Sequence, residues 1–178
     1  MALVEKSSPP FLFKHCLRSY AFGIAMAHKV KRKIDNEVFF LGAIMHDLGL
    51  TDDFSGENTF EVVGAQAARN FCVNNAINNN KADLIHEMVA LHNSVGLAHK
   101  LDPEIALLHF GAGADVAGLW IGDIHKRTLE EILSRYSNKG CKEGMINLIH
   151  DQVIKKPNSY MATMVELGFL KKMAKVSF

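Results

Sequence analysis

Two polar residues stand side by side in a mostly apolar stretch of the sequence, FFLGAIMHDLGLTDDF, from Phe39 to Phe54. They are His46 and Asp47, an imidazole and a carboxylate. Counted back in steps of three or four, each falls on the apolar face of a predicted helix. An unpaired carboxylate is costly to bury, so Asp47 needs a partner. We expect a metal ion, because imidazole nitrogen and carboxylate oxygen are common ligands of divalent metals.

Two further residues of the same kinds lie on apolar helical stripes. His15 interrupts one stripe and Asp115 interrupts another. With the first pair they make two imidazoles and two carboxylates, a suitable ligand set for one divalent cation. Four ligands from three helices also leave coordination positions open for water and substrate, as a catalytic site requires. Taken singly, each residue has a structural explanation as well: Asp115, for example, could pair with an arginine.

The elements that would position these residues are helical nearly throughout. Helix starts are marked by Asp102 before Pro103 and by the capping-box spacing of Asn58 with Glu61. No segment alternates with period two for long enough to be a strand. We therefore predict an all-α, single-domain helical bundle over residues 1–178, with a metal-binding core at about 11–121 and C-terminal helices at about 128–170. The predicted helices cover residues 10–32, 37–48, 58–75, 81–93, 103–121, 128–136, 142–155 and 159–167.

The composition argues against several classes of function. With 178 residues, 48% hydrophobic and 22% charged, the chain has the profile of a globular protein. A net charge of +1 argues against a nucleic-acid polymer as partner, and no apolar run is long enough to span a bilayer. The three cysteines are far apart and odd in number, which indicates reduced thiols. We expect a cytoplasmic protein without a membrane partner, and the sequence leaves a homo-oligomer open.

The order of these motifs resembles the HD-domain superfamily of metal-dependent hydrolases. The matching residues are His15 in FKHCLRSYAFG, His46 and Asp47 in GAIMHDLGL, and Asp115 in GAGADVAGL. Further stretches, including NTFEVVGAQAA and ALHNSVGLAHKLDPEIALL, are similar to the cyanamide hydratase-like branch of that superfamily. The resemblance covers about residues 11–119 and implies a helical bundle of the HD type. It also implies a divalent metal ion. For the set of two imidazoles and two carboxylates we expect one ion, zinc first, with iron, manganese or nickel as alternatives.

Many phosphodiesterase-type members of that superfamily carry extra histidines between the His-Asp pair and the last aspartate, and they use two metals. The candidates here are His86, His92, His99 and His109. Only His92 falls clearly on an apolar stripe, with Ile85 and Met88 or Val89. The sequence therefore favours one metal with one nearby histidine.

The chemistry would depend on a metal that acidifies water and polarises the group under attack. Asp47 or Glu61 could take the proton of the water, and His92 could donate a proton to the substrate or orient it. Glu61 is equally well explained as a backbone cap, because it is the third residue of a helix. Arg18, one turn after the first histidine, could bind a phosphate or pair with Asp47 or Glu61, and we favour pairing. Lys14 is the other cation placed by sequence near the site.

The leading hypothesis is a metal-dependent hydrolase or hydratase that acts on a small molecule such as a nitrile or cyanamide. The first alternative is a nucleotide phosphohydrolase, which would need a larger, cationic pocket in place of a tight apolar one. The second alternative is a non-catalytic binding module in which the metal only stabilises the fold. Such a module would leave no coordination position open.

Overall fold

The computed structural model describes residues 1–178 and contains ten α-helices and no β-strand, which confirms the predicted all-α fold. The helices are α1 (Ala2–Ser7), α2 (Pro10–Ala25), α3 (Asn36–Met45), α4 (Phe60–Asn74), α5 (Asn79–Leu91), α6 (Pro103–Ala117), α7 (Lys126–Arg135), α8 (Cys141–Lys155), α9 (Tyr160–Glu166) and α10 (Phe169–Ala174). Short 3-10 turns lie between several of them, including Leu48–Leu50 after α3. No helix is both long enough and apolar enough to cross a membrane.

The starts of the helices follow local capping rules, with one correction. The Asp35 side chain accepts hydrogen bonds from two backbone amides in the first turn of α3, and Pro103 opens α6. The capping box predicted for Asn58 and Glu61 does not form. Thr59 is the residue before α4, and Glu61 is buried instead of turning back to the helix end.

Several helices end earlier than predicted, and α2 and α6 do so by the most residues. α2 stops at Ala25, where a 3-10 turn over Ala27–Lys29 takes over. α6 stops at Ala117, because Gly118 adopts the left-handed conformation with φ +62°. The Gly118 amide then donates back to the carbonyl of Ala114, which satisfies one of the last carbonyls of the helix.

Helices α2 and α6 form the centre of the fold and lie in very close contact. A Cβ at Gly111 of α6 would lie 2.0 Å from the backbone oxygen of Ser19 in α2, so only glycine fits there. One helical turn from this contact, His15 of α2 and Asp115 of α6 face each other. The close approach of the two backbones therefore brings two of the candidate residues into direct contact.

The C-terminal helices form an apolar layer of their own. Residues of α8, α9 and α10 pack on Leu12 of α2 and on Phe60 at the start of α4. A larger cluster on the other side is built mainly from α2 to α6. The candidate residues lie where these two layers meet. The buried apolar residues contributed by α8 to α10 are Cys141, Met145, Ile149, Met161 and Met173.

Candidate metal centre

His46 and Asp47 take their positions from the end of α3. They follow Met45, the last residue of that helix, and the chain then turns through Leu48–Leu50. Gly49 in this turn packs against α4 so closely that a Cβ would lie 2.0 Å from the carbonyl oxygen of Phe60. This contact fixes the turn, and it fixes the two side chains before it. His15, from the second turn of α2, completes the group.

Three donor atoms face one another at this point. The Nε2 atoms of His15 and His46 are 3.1 Å apart, and Oδ2 of Asp47 is 3.3 Å from each of them. All three side chains are buried. Two ligands held tetrahedrally by zinc at about 2.0–2.1 Å lie about 3.3 Å from each other. The triangle therefore has the dimensions of a set of metal ligands.

Hydrogen bonds on the far side of each ring fix the proton positions. Nδ1 of His46 lies 2.8 Å from the carbonyl oxygen of Ala43, and Nδ1 of His15 lies 2.6 Å from Oδ2 of Asp115. Carbonyl and carboxylate oxygens only accept, so each Nδ1 must donate. When it carries no second proton, each imidazole turns the lone pair of Nε2 toward Asp47. This orientation of histidine by a partner on its other nitrogen is the usual one at metal sites.

The pKa values show how strongly the cluster attracts positive charge. Burial opposes protonation of His15, but the hydrogen bond to Asp115 and the carboxylate of Asp47 outweigh burial and raise its pKa to about 9. Burial lowers the pKa of His46 to about 4. Burial also opposes ionisation of Asp47, but His46 and His15 hold the pKa of that carboxyl well below its usual range. A divalent cation bound here would compete with the proton on His15.

One buried oxygen of the cluster lacks a hydrogen-bond partner. Oδ2 of Asp47 is buried and has no hydrogen-bond partner in the chain, although two imidazole nitrogens lie 3.3 Å away. Buried polar atoms in folded proteins nearly always have a partner. A metal ion would provide one, so the residues present fit a bound divalent cation.

Asp115 does not join this group of donor atoms. Its two carboxylate oxygens accept hydrogen bonds from Nε of Arg18 at 2.6 Å and from Nη2 at 2.8 Å. Oδ2 also accepts the hydrogen bond from Nδ1 of His15. The four predicted ligands therefore do not converge on one point. Asp115 contacts the nitrogen of His15 that points away from Asp47.

Arg18 is fully buried and contributes no side chain to the cavity beside the donor atoms. Besides its pair with Asp115, it donates from Nη1 to the carbonyl oxygens of Tyr136 and Ser137. The sequence led us to expect Asp47 or Glu61 as its partner. Its actual contacts link the site to the segment after α7.

Of the other predicted site residues, only His92 lines the cavity beside the donor atoms. Its Nδ1 donates to a backbone carbonyl one turn back in α5, and its Nε2 is 3.7 Å from Oδ1 of Asp47. Glu61 lies behind the cavity wall, where Oε1 accepts a hydrogen bond of 2.6 Å from Nδ2 of Asn93. Lys14 is exposed and does not line the cavity, and its role in substrate binding stays a prediction.

Sequence reasoning considered His109 and set it aside in favour of His92, but His109 also lines the cavity. Its Nδ1 donates to the carbonyl oxygen of His92 at 2.8 Å, and its ring packs on Trp120 with the centroids 5.3 Å apart. Burial lowers the pKa of His109, which favours the neutral ring. The sequence contained a sign of this, because His109, Ala112 and Asp115 follow one another at intervals of three residues and so lie on neighbouring positions of one helical face.

The donor atoms open onto a small and mostly apolar cavity of about 70 Å³. One water needs about 10–15 Å³ on this scale, so the cavity has room for a molecule of a few non-hydrogen atoms. No lysine or arginine lines it. Much of its apolar wall comes from the C-terminal helices, for which the sequence predicted no part in the site. These residues are Met145, Ile149, Met161, Met164 and Phe169.

Comparison with known proteins bears on the family of this chain. The model of the HD domain family matches residues 12–109, which is more than half of the 178 residues. The matched span contains His15, His46 and Asp47, the three residues whose donor atoms converge. No curated protein shows significant similarity to the chain. The extent of the family match shows that the chain belongs to the HD domain family.

Proposed function

We propose that this protein is a metal-dependent hydrolase or hydratase that acts on a small, uncharged molecule. HD domains are generally metal-dependent hydrolases and bind divalent metals. The observation that carries the proposal is the buried triangle of His15, His46 and Asp47, with the unpartnered Oδ2 at one corner. Three nitrogen and oxygen donors with positions left open are typical of catalytic zinc, so zinc is our first candidate.

The other predicted ligand takes a different role in this proposal. Asp115 orients His15 through Nδ1, while Arg18 neutralises the carboxylate of Asp115 and anchors it. Iron, manganese and nickel also suit a set of two imidazoles and one carboxylate, so elemental analysis must identify the ion.

When bound, a divalent cation supplies Lewis acidity, which acidifies water and polarises the group under attack. His92 takes the proton of the attacking water, because its Nδ1 already donates to a carbonyl and its Nε2 lone pair is free. Oδ1 of Asp47, 3.7 Å away, stabilises the imidazolium that forms. For a nitrile, the water oxygen bonds to carbon, and His92 returns the proton to nitrogen, which gives an imidic acid. The remaining O–H proton then moves to nitrogen, and the product is an amide.

The cavity argues against the nucleotide alternative. Its volume of about 70 Å³ is small, and no lysine or arginine lines it to hold a phosphate. A small nitrile fits both properties, and the resemblance to the cyanamide hydratase-like branch favours the same class of substrate. The cavity also argues against a purely structural metal, because the donor atoms face an open space rather than a fourth side chain.

The test combines metal analysis with turnover. We expect the purified protein to carry one divalent metal per chain and Asp47→Asn to lose it, because that change removes the charge from the unpartnered oxygen. Asp53→Asn, at an exposed aspartate in the loop that follows, is the matched control and should keep the metal. Steady-state assays would then compare cyanamide and small nitriles with a panel of nucleotides. Full metal content in Asp47→Asn, or turnover of nucleotides alone, would refute the proposal.

A further inference from the structure

Three histidines around the cavity are held in the same tautomer by the backbone. Nδ1 of His46, His92 and His109 lies 2.8, 2.7 and 2.8 Å from a carbonyl oxygen, respectively. A carbonyl oxygen cannot donate, so each Nδ1 carries the proton and each Nε2 carries a lone pair. Nε2 of His92 and of His109 makes no hydrogen bond within the chain, and both residues line the cavity. These two atoms therefore offer acceptors to whatever enters.

Another polar group of the wall, Asn93, also presents an acceptor to the cavity. Its Nδ2 donates to Oε1 of Glu61 at 2.6 Å, and a carboxylate can only accept. The amide is thereby fixed, and Oδ1 is the atom left for the cavity. Glu61 is itself buried, and its Oε2 has no partner in the chain. Burying the carboxylate of Glu61 for a single hydrogen bond costs free energy, which is explained if that bond is needed to orient the amide of Asn93.

We infer that the cavity selects neutral molecules that donate hydrogen bonds, with an N–H or O–H group at one end and a short apolar body. This inference rests on the proposed function, since it names the class of molecule that the same site would accept. Glu61 acts as a positioning residue: it touches no substrate and fixes Asn93 as an acceptor. His92, Asn93 and His109 then present acceptors, and neither a lysine nor an arginine offers a charged donor.

The apolar part of the cavity sets the rest of the specificity. Met161, Met164 and Phe169 contribute carbon and sulfur atoms to the cavity wall. A phosphate or carboxylate would meet imidazole lone pairs and apolar groups, and no charged donor. A primary amide, an amine in its neutral form or an alcohol would satisfy the acceptors with its donors and bury its carbon atoms.

Two matched probes isolate the effect of a donor. Propionamide and butanone have the same size and the same carbonyl group, and they differ only in an NH2 group against a CH3 group. Binding to the metal-loaded protein would be measured by NMR titration, which does not depend on turnover. We expect propionamide to bind about tenfold more tightly than butanone, the size of effect typical of one satisfied hydrogen bond.

Two variants test the residues named. Glu61→Gln keeps the shape of the side chain but can donate, so the amide of Asn93 is free to reverse and present its NH2 to the cavity. His109→Phe keeps a ring against Trp120 and removes the acceptor. Each change should lower the preference for propionamide to within about threefold while the metal content stays unchanged. His28→Phe, at an exposed histidine after α2, is the control and should keep the full preference.

The outcomes separate this inference from the proposed function. Equal affinity for the two probes, or saturable binding of neither, overturns the inference even if the protein holds its metal and hydrolyses a substrate. Loss of a metal ion in His109→Phe also overturns it, because Nε2 of His109 would then be a ligand rather than an acceptor for substrate. A wild-type protein that binds no metal refutes the proposed function instead.

Discussion

Replacing Asp115 by asparagine distinguishes a metal ligand from a residue that orients one. The change conserves shape and removes one negative charge. In the structure the carboxylate of Asp115 accepts two hydrogen bonds, of 2.6 and 2.8 Å, from the buried guanidinium of Arg18. It also accepts a hydrogen bond from Nδ1 of His15. An asparagine can satisfy only part of this set, because its NH2 group would face donors. Both the fold and the metal site should therefore respond.

The two responses have different sizes. Breaking a buried ion pair by removing one partner costs about 3–5 kcal/mol, because the guanidinium of Arg18 remains buried without its counter-charge. For a chain of this length each kcal/mol lowers Tm by about 2–4 °C, so the metal-free variant should melt about 6–20 °C lower. Loss of the group that orients a metal-binding histidine weakens metal affinity by about 10- to 100-fold. Loss of a direct ligand would weaken it far more.

The assay measures both quantities on the same protein. Thermal unfolding in the presence of a chelator gives the stability of the metal-free fold, and competition with a chromogenic chelator gives the zinc affinity. Asp123→Asn is the matched control, because Asp123 pairs with Lys29 near the surface, where such pairs contribute about 0–1 kcal/mol. Changing Arg18 to methionine together with Asp115→Asn should recover part of the lost stability, since no buried charge is then left alone.

One pattern of results would refute this reasoning. If Asp115→Asn binds no zinc while its metal-free Tm stays within about 2 °C of wild type, the buried pair contributes little and Asp115 is a direct ligand. An affinity reduced by about 10- to 100-fold together with a large fall in Tm is the pattern that the contacts with Arg18 and His15 require.

Two further predictions concern pH and packing. Because the pKa of His15 is raised to about 9, a metal must displace one proton below that pH, so zinc affinity should rise about tenfold per pH unit from 7 to 9 and then level off. Competition titrations across this range test it, and a flat profile would contradict it. Gly111→Ala should cost about 1–3 kcal/mol in urea unfolding, because its Cβ would lie 2.0 Å from the oxygen of Ser19. Gly122→Ala, whose added Cβ meets no atom within 4 Å, should leave the free energy of unfolding within about 0.5 kcal/mol of wild type.

The sequence was informative about helices and less so about their ends. Apolar periodicity and capping residues predicted eight of the ten helices. The two that were missed, α1 and α10, have six residues each, too few for a period of 3.6 to be visible. No proline or glycine directly follows the end of α2 at Ala25, so the pattern alone extended the helix too far.

The site was predictable in its residue types and not in its contacts. A polar residue on an apolar stripe identifies a buried functional group, and this reasoning selected His15, His46, Asp47 and Asp115. It cannot say which nitrogen of an imidazole faces which carboxylate. That depends on how α2 and α6 are aligned at Gly111, which is a property of the packing. The methionines of α8 and α9 could not be assigned to the cavity for a related reason: an apolar residue looks the same whether it faces core or substrate.

The adjacency of His46 and Asp47 follows from the position of the helix end. Within a continuous helix, neighbouring residues point about 100° apart, so two adjacent side chains cannot both face one ion closely. α3 ends at Met45, and Asp47 has left the helical conformation with φ −106° and ψ 15°. The sequence-based helix over 37–48 would have turned the two side chains apart. The close contact of Gly49 with Phe60 holds the chain in the turn that replaces the end of that helix. This backbone contact, which lies outside the group of donor atoms, therefore allows His46 and Asp47 to supply two of the three donors although they are adjacent in sequence.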